Sequence, residues 1–112
     1  MQEDLYRKCP YVTAQKLLTG KWTLLIMHYL SDNTMRFNEL QRALPDLTQA
    51  TLTKQLRMLE DNGLILRKVY NQIPPKVEYS LSELGQHFST VLEALQVWGT
   101  EYIDYLKSEK CN

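Results

Sequence analysis

The stretch 48–62, TQATLTKQLRMLEDN, constrains this chain more than any other. Leu52, Leu56 and Leu59 recur at the i, i+4, i+7 spacing of a single helix face. At about 100° per residue, the opposite face carries Ala50, Thr53, Lys54, Arg57 and Asp61. The rest of the chain must therefore supply a core against which the leucines are buried. The outer face is small and polar near its N-terminal end and positive beyond it. Such a face suits a base-lined groove flanked by phosphates, and equally suits plain solvent. One helix does not distinguish the two; its neighbours must.

A chain of 112 residues is long enough for one domain with a modest core. With 44% hydrophobic and 23% charged residues it has the composition of a folded globular protein rather than a disordered one. No apolar run is long enough to cross a bilayer. The N-terminal MQEDLYRKCP has acidic residues and lacks the apolar segment of a signal peptide, so a cytoplasmic protein is expected. Cys9 and Cys111 lie near opposite ends, and a reducing compartment argues against a constitutive disulfide. With His28 and His87 they form no metal-ligand spacing, and neither a metal nor another cofactor is expected.

The formal net charge is zero, which taken alone argues against a polyanionic partner, but the distribution is uneven. Residues 54–76 hold five basic and two acidic side chains, residues 77–112 two basic and six acidic, and residues 1–53 six basic and five acidic. Nucleic acid would be steered to the middle of the chain and repelled by its C-terminal third.

Taken in order, Pro10 suits the first position of a helix with an apolar face of Ala14, Leu17 and Leu18, and Gly20 is expected to end it in a left-handed conformation. A second helix starts near Lys21. Its face is Trp22, Leu25, Ile26 and Tyr29, widened by Leu24, Met27 and Leu30, and Ser31, Asp32 and Asn33 close it as a turn. Met35, Arg36 and Phe37 can pair at a sheet edge. Phe37, Leu40, Ala43 and Leu44 mark a short helix stopped by Pro45 and Asp46, with Leu47 anchoring the turn. Thr48 is the expected N-cap of the central helix, and Asn62-Gly63 its end. Residues 37–62 thus read helix, tight turn, helix, the unit whose second helix enters a major groove.

After Gly63, residues 64–70 and 76–81 alternate as strands around Asn71-Gln72-Ile73-Pro74-Pro75, a stiff projecting loop that reads as a wing. Ser82 caps a last helix whose stripe (Leu84, Phe88, Val91, Leu92, Leu95, Trp98, Tyr102, Tyr105) reaches about Leu106, with a kink expected near Gly99. That is longer than so small a domain needs, and a second copy of the chain is the simplest cover for the excess.

The segments LLTGKWTLLIMHYL, RFNELQRALPDLTQATLTKQLRMLEDNGLI and IPPKVEYSLSELG resemble the HxlR-type family of bacterial transcriptional regulators, winged-helix relatives of the MarR regulators. The resemblance covers about Cys9 to Gly99. It implies a mainly α chain with a small β-hairpin: a winged helix-turn-helix flanked by N- and C-terminal dimerisation helices. Residues 1–20 would be a dimer arm, 21–81 the winged-helix core and 82–107 the C-terminal dimer helix. It further implies a homodimer that binds double-stranded DNA and has no enzymatic activity. Carried onto this chain, the DNA-facing positions are Thr48, Gln49, Ala50, Thr53, Lys54 and Arg57 on the recognition helix and Lys76 in the wing, with Arg36 as a further backbone contact. Gln49 and Thr53 suit base edges and Ala50 a thymine methyl, while Lys54 and Arg57 suit phosphates. Glu60 and Asp61 belong away from DNA.

For each of these the plain alternative is structural: Thr48 and Gln49 as caps, Lys54 and Arg57 as a solvated face, Arg36 as an ion-pair partner of Glu39. Of Arg67 and Lys68, alternating on a strand, at most one faces DNA. Cys9 precedes Pro10 at a helix N-terminus with Arg7 and Lys8 beside it, where a thiol is favoured as its reactive anion. In several members of the family a cysteine at this place senses oxidants or electrophiles; the alternative is a small interface residue. Cys111 would meet Cys9 of a second subunit or be an idle tail thiol. Trp22, Tyr29, Phe88 and Trp98 are candidates for a crevice that takes a small aromatic effector, against the plainer reading as interface or core. Two other classes compete with the regulator: a winged-helix protein-interaction module without DNA binding, and a thiol enzyme using Cys9, for which no base or anion site is placed.

Overall fold

The computed structural model describes residues 5–111, with side chains through residue 108. Its elements are α1 (Pro10–Leu17), α2 (Thr23–Asp32), β1 (Met35–Arg36), α3 (Phe37–Ala43), α4 (Gln49–Asp61), β2 (Ile65–Tyr70), β3 (Lys76–Leu81), α5 (Glu83–His87) and α6 (Ser89–Cys111). The architecture is the expected winged helix, mainly helical with one small antiparallel sheet ordered β1-β3-β2. The β2–β3 hairpin runs from Ile65 opposite Leu81 to Tyr70 opposite Lys76. The short run before α3 does pair at the sheet edge, Met35 opposite Tyr79 and Arg36 opposite Glu78.

The core gathers Ile26, Met27 and Leu30 of α2, Leu40 of α3, Leu44 and Leu47 of the turn, and Tyr79 and Leu81 of β3 around the α4 stripe. Leu52, Leu56 and Leu59 are at most 2% exposed, so each contributes about 1.5–3 kcal/mol of burial. The ends of α4 are set locally. The Thr48 hydroxyl accepts the Thr51 N–H at 3.1 Å, and Gly63, at φ 77°, takes the left-handed turn that follows Asn62. Ser82 ties that turn to the end of the sheet: its hydroxyl donates to the Gly63 carbonyl at 2.7 Å and accepts the Gly85 N–H at 3.0 Å.

Four expectations need correcting. The buried face of α2 is Thr23, Ile26, Met27 and Leu30: Ile26, Met27 and Leu30 belong to the expected apolar face, but Leu25 is exposed, and Trp22 and Tyr29 are half-buried at the flanks. Two overlapping stripes on an almost wholly apolar helix are equally regular, and only the position of α4 and β3 selects between them. The same helix runs on through Ser31 and Asp32 before Asn33 ends it. Gly20 is not in the left-handed region. It is a point of close approach, where a methyl group would run into the Thr23 hydroxyl and the Gln55 amide. Finally, the single C-terminal helix expected from Ser82 is interrupted at Phe88, and α6 continues as helix through Gly99. The break follows from Gly85: it is buried so tightly on the chain entering β2 that a methyl there would collide with the Leu64 carbonyl oxygen. That contact fixes α5 on the core.

The 23 residues of α6 span about 34 Å. The chain extends 58 Å along its longest axis, and its radius of gyration is 16.6 Å against the ~13 Å usual for a compact chain of this length. No helix among the described residues is long and apolar enough to cross a membrane.

Gly85→Ala is expected to lower stability by about 1–3 kcal/mol, because a backbone oxygen cannot move aside as a side chain would. Urea unfolding followed by circular dichroism measures this; an unchanged midpoint would contradict the account of the helix break.

Candidate nucleic-acid interface

The helix-turn-helix is closed by few contacts. The Leu47 N–H donates to the Leu44 carbonyl at 3.0 Å, and the Gln41 side-chain amide donates to the Leu47 carbonyl. With Leu44 and Leu47 both buried, the turn is too short to swing, and the angle between α3 and α4 is set. Because Leu52, Leu56 and Leu59 face inward, Thr48, Gln49, Ala50, Lys54 and Arg57 are exposed together on the other side, with Thr53 half-buried at its margin.

These side chains are not equally available. The Thr48 hydroxyl is engaged as the cap and also donates to Thr51 Oγ1 at 2.9 Å. The Thr53 hydroxyl donates back to the Gln49 carbonyl at 2.9 Å. Its lone pairs remain, so in this rotamer it can accept from a base amino group but not donate. Among the described residues the side chains of Gln49, Lys54 and Arg57 have no hydrogen-bond or ion-pair partner, which leaves their donors open to an incoming ligand.

The alternation of Arg67 and Lys68 does not say which of them lies toward α4; the structure places Arg67 there. Its side chain, with Thr53, Arg57, Glu60 and Tyr79, lines a cleft of about 310 Å³ between α4 and the sheet. The cue was available, since Arg67 lies opposite Tyr79 on the α4 side of the sheet, but only once the hairpin register is known. Lys68 falls on the outer face opposite Glu78. The two side chains thus lie on opposite faces of the sheet, as their alternation on one strand requires.

The wing is an exposed loop, residues 71–75, with Ile73 fully exposed at its tip and a cis Ile73–Pro74 bond. Lys76 at its base is not a loose cation. Its ammonium lies 3.3 Å from Glu78 Oε2 and 4.6 Å from the centre of the Tyr70 ring. The Tyr70 hydroxyl donates to Glu78 Oε1 at 2.7 Å. Arg36 sits across from Glu78 in the sheet; its main-chain N–H, rather than an ion pair, engages Glu39, donating to Oε1 at 2.7 Å. The Tyr70 hydroxyl, and after it Lys76 and Arg36, hold the Glu78 carboxyl below its ordinary 4.5, partly opposed by burial.

The remaining candidates lie apart from this surface. Cys9 is the extended N-cap residue of α1, half-buried and unpaired. The side chain of Cys111, its suggested partner, lies outside the described residues. The four aromatic residues proposed as an effector crevice have different surroundings within the chain. Phe88 lines an apolar cavity of about 260 Å³ with Leu17, Leu18, Met27, Leu84 and Val91, a lining that includes none of the other three. Trp22 and Tyr29 pack on the core, and Trp98 stacks on Tyr102 with ring centres 5.4 Å apart.

Because its folded pKa is depressed, Glu78 contributes stability that is fully present above the ordinary carboxylate range and lost as the pH falls through the lowered value. A carbon-13 NMR titration should find this carboxyl below 4.5, and Tyr70→Phe should move it back up. A midpoint unmoved by that substitution would contradict the assigned cause.

Residues 17–107 match the HxlR-like helix-turn-helix family. The chain is similar to the uncharacterised HTH-type transcriptional regulator YdeP of Bacillus subtilis, 44% identical over 101 residues that make up 90% of this chain and 79% of that protein. Its fold is similar to that of the redox regulator HypR in its reduced form, at 40% identity and a TM-score of 0.84, covering 89% of this chain and 99% of that one. Against HypR in its oxidised form the identity is 41% and the TM-score 0.78, covering 83% and 96%. It is also similar to the reduced form of the regulator YodB from B. subtilis, at 35% identity and a TM-score of 0.76, covering 84% and 93%. These likenesses favour the regulator over the protein-interaction module. The chain belongs to the HxlR-like helix-turn-helix family and is a DNA-binding transcriptional regulator.

Proposed function

We propose that the chain works as a homodimer on a pseudo-palindromic operator, with α4 of each subunit in a major groove and each wing alongside. The observation that carries this reading is the outer face of α4, where Gln49, Ala50, Lys54 and Arg57 stand exposed on a helix whose other side is held in the core. In the major groove Gln49 reads a base edge, Ala50 touches an apolar surface such as a thymine methyl, and Thr53 accepts from a base amino group. Lys54 and Arg57 meet phosphates, and Arg36 and Lys76 extend the backbone contact along the duplex.

The second subunit is supported by α6. Val91, Leu95, Trp98, Tyr102, Tyr105 and Leu106 fall on one stripe of that helix, each at least 38% exposed. Trp98, Tyr102 and Tyr105 form a ladder, with centroids 5.4 and 5.6 Å apart. A run of aromatic surface this long on a projecting helix suits a self-complementary seam, with α1 completing the arm. The spacing of the two α4 helices then sets the half-site spacing at about one turn of DNA.

Cys9 serves as a redox or electrophile switch in this reading. It begins α1, the element expected at the dimer seam, so a modification there bears on the spacing of the two recognition helices. Similarity to a redox regulator studied in both reduced and oxidised forms supports it.

With a labelled duplex carrying the DNA upstream of the chain's own gene, binding should weaken steeply with salt. Lys54→Ala with Arg57→Ala should reduce affinity at least tenfold and lower the salt slope by about one per lost phosphate contact. Unchanged affinity, or binding insensitive to salt, would overturn the proposal. Diamide with a small thiol, which converts an accessible cysteine to a mixed disulfide, should weaken wild-type binding and leave Cys9→Ser unaffected. An equal response in both would remove Cys9 from the switch.

A further inference from the structure

The outer face of the β2–β3 hairpin carries a cluster that DNA contact alone does not explain. Lys68 and Tyr70 of β2, Lys76 and Glu78 of β3, and Arg36 of β1 lie on it in register. Three cations thus surround one carboxylate, on the element expected to approach a polyanion. A carboxylate there should oppose binding by simple electrostatics. Both of its oxygens, however, are already engaged, Oε1 by the Tyr70 hydroxyl at 2.7 Å and Oε2 by the Lys76 ammonium at 3.3 Å. Lys76 is held from a second side by the Tyr70 ring, 4.6 Å from its centre, and the ammonium of Lys68 lies 4.9 Å from the same ring.

We propose that Glu78 is a positioning residue for DNA binding: with Tyr70 it clasps Lys76 at the base of the wing, so that the ammonium is already ordered where the backbone of the duplex arrives. This rests on the wing reading given under Proposed function. Two physical points favour it over a purely stabilising ion pair. Lys76 and Glu78 keep 25% and 22% of their side-chain surface exposed, so the pair is half-buried but still open on one side to an arriving phosphate. A lysine side chain, by contrast, loses much rotamer freedom when it must be fixed on a ligand, and ordering it beforehand removes that cost from binding. The ammonium has three N–H donors, and the clasp does not exhaust them, so a phosphate oxygen can be added without breaking it.

The test is equilibrium binding, across a salt series, to the labelled duplex carrying the DNA upstream of the chain's own gene. Wild type is compared with Glu78→Gln, Tyr70→Phe, Lys76→Ala and the Glu78→Gln/Lys76→Ala double variant. Glu78→Gln is expected to weaken binding roughly 3- to 10-fold, although it removes a negative charge from a surface that meets a polyanion. Tyr70→Phe should act in the same direction and by less. In the Lys76→Ala background, Glu78→Gln should have no further effect, because it acts through Lys76. Unchanged or tighter binding by Glu78→Gln would overturn the proposal. So would an equal loss in both backgrounds, the result of a wing that has merely lost its structure. If Lys76→Ala binds like wild type with the same salt slope, the wing reading fails and the positioning role falls with it. If Lys76→Ala weakens binding and Glu78→Gln does not, the positioning role alone is wrong.

Discussion

Everything functional in this chain depends on α4 being buried along one side. Three leucines at i, i+4, i+7, each at most 2% exposed, fix the rotation of the helix about its own axis. Once they face the core, Gln49, Ala50, Lys54 and Arg57 have no choice but to face outward. Their chemistry becomes that of a surface presented as a unit rather than of four separate side chains. A rotation of one residue step, about 100°, would bury part of that face and expose a leucine. The cost of exposing a single leucine, about 1.5–3 kcal/mol, is enough to exclude it.

The sheet and the C-terminal helices act on that same constraint from the other end. Ser82 links the turn after α4 to the end of β3, and Gly85 seats α5 on the chain entering β2, so the exit of α4 and the root of the wing move as one body. The wing base is stiffened separately by the Tyr70, Lys76 and Glu78 cluster. The result is a rigid block with two outward features, a helix face and a hairpin tip. From it the long amphipathic α6 extends, anchored on the core through Leu92, with Val91, Leu95, Trp98, Tyr102, Tyr105 and Leu106 left exposed among the described residues.

Much of this was legible in the residues. The caps at Thr48 and Ser82, the left-handed Gly63, the α4 stripe and the hairpin alternation are local signals, and the structure follows them. The errors fall where the deciding partner lies far along the chain. Which face of α2 is buried cannot be read from a helix apolar on nearly every side, because the choice is made by α4 and β3. Gly20 and Gly85 look alike as small residues, yet both are selected by close approach to distant atoms rather than by backbone conformation. The helix therefore breaks at Phe88, after the seated Gly85, and passes Gly99, where nothing within the chain crowds the backbone. At the candidate site the α4 positions could be read from periodicity. The roles of Arg67, Tyr70 and Glu78 could not, since they depend on the register across the wing.

The central claim is that the outer face of α4 is where this regulator meets DNA. The most direct measurement is an amide chemical-shift map of the protein titrated with the duplex from upstream of its own gene. The account predicts the largest changes over residues 48–57, with a second set at the wing, residues 71–76, and little change in the core face of α2. Changes confined to α1 and α6, with the amides of α4 unmoved at saturating DNA, would contradict it.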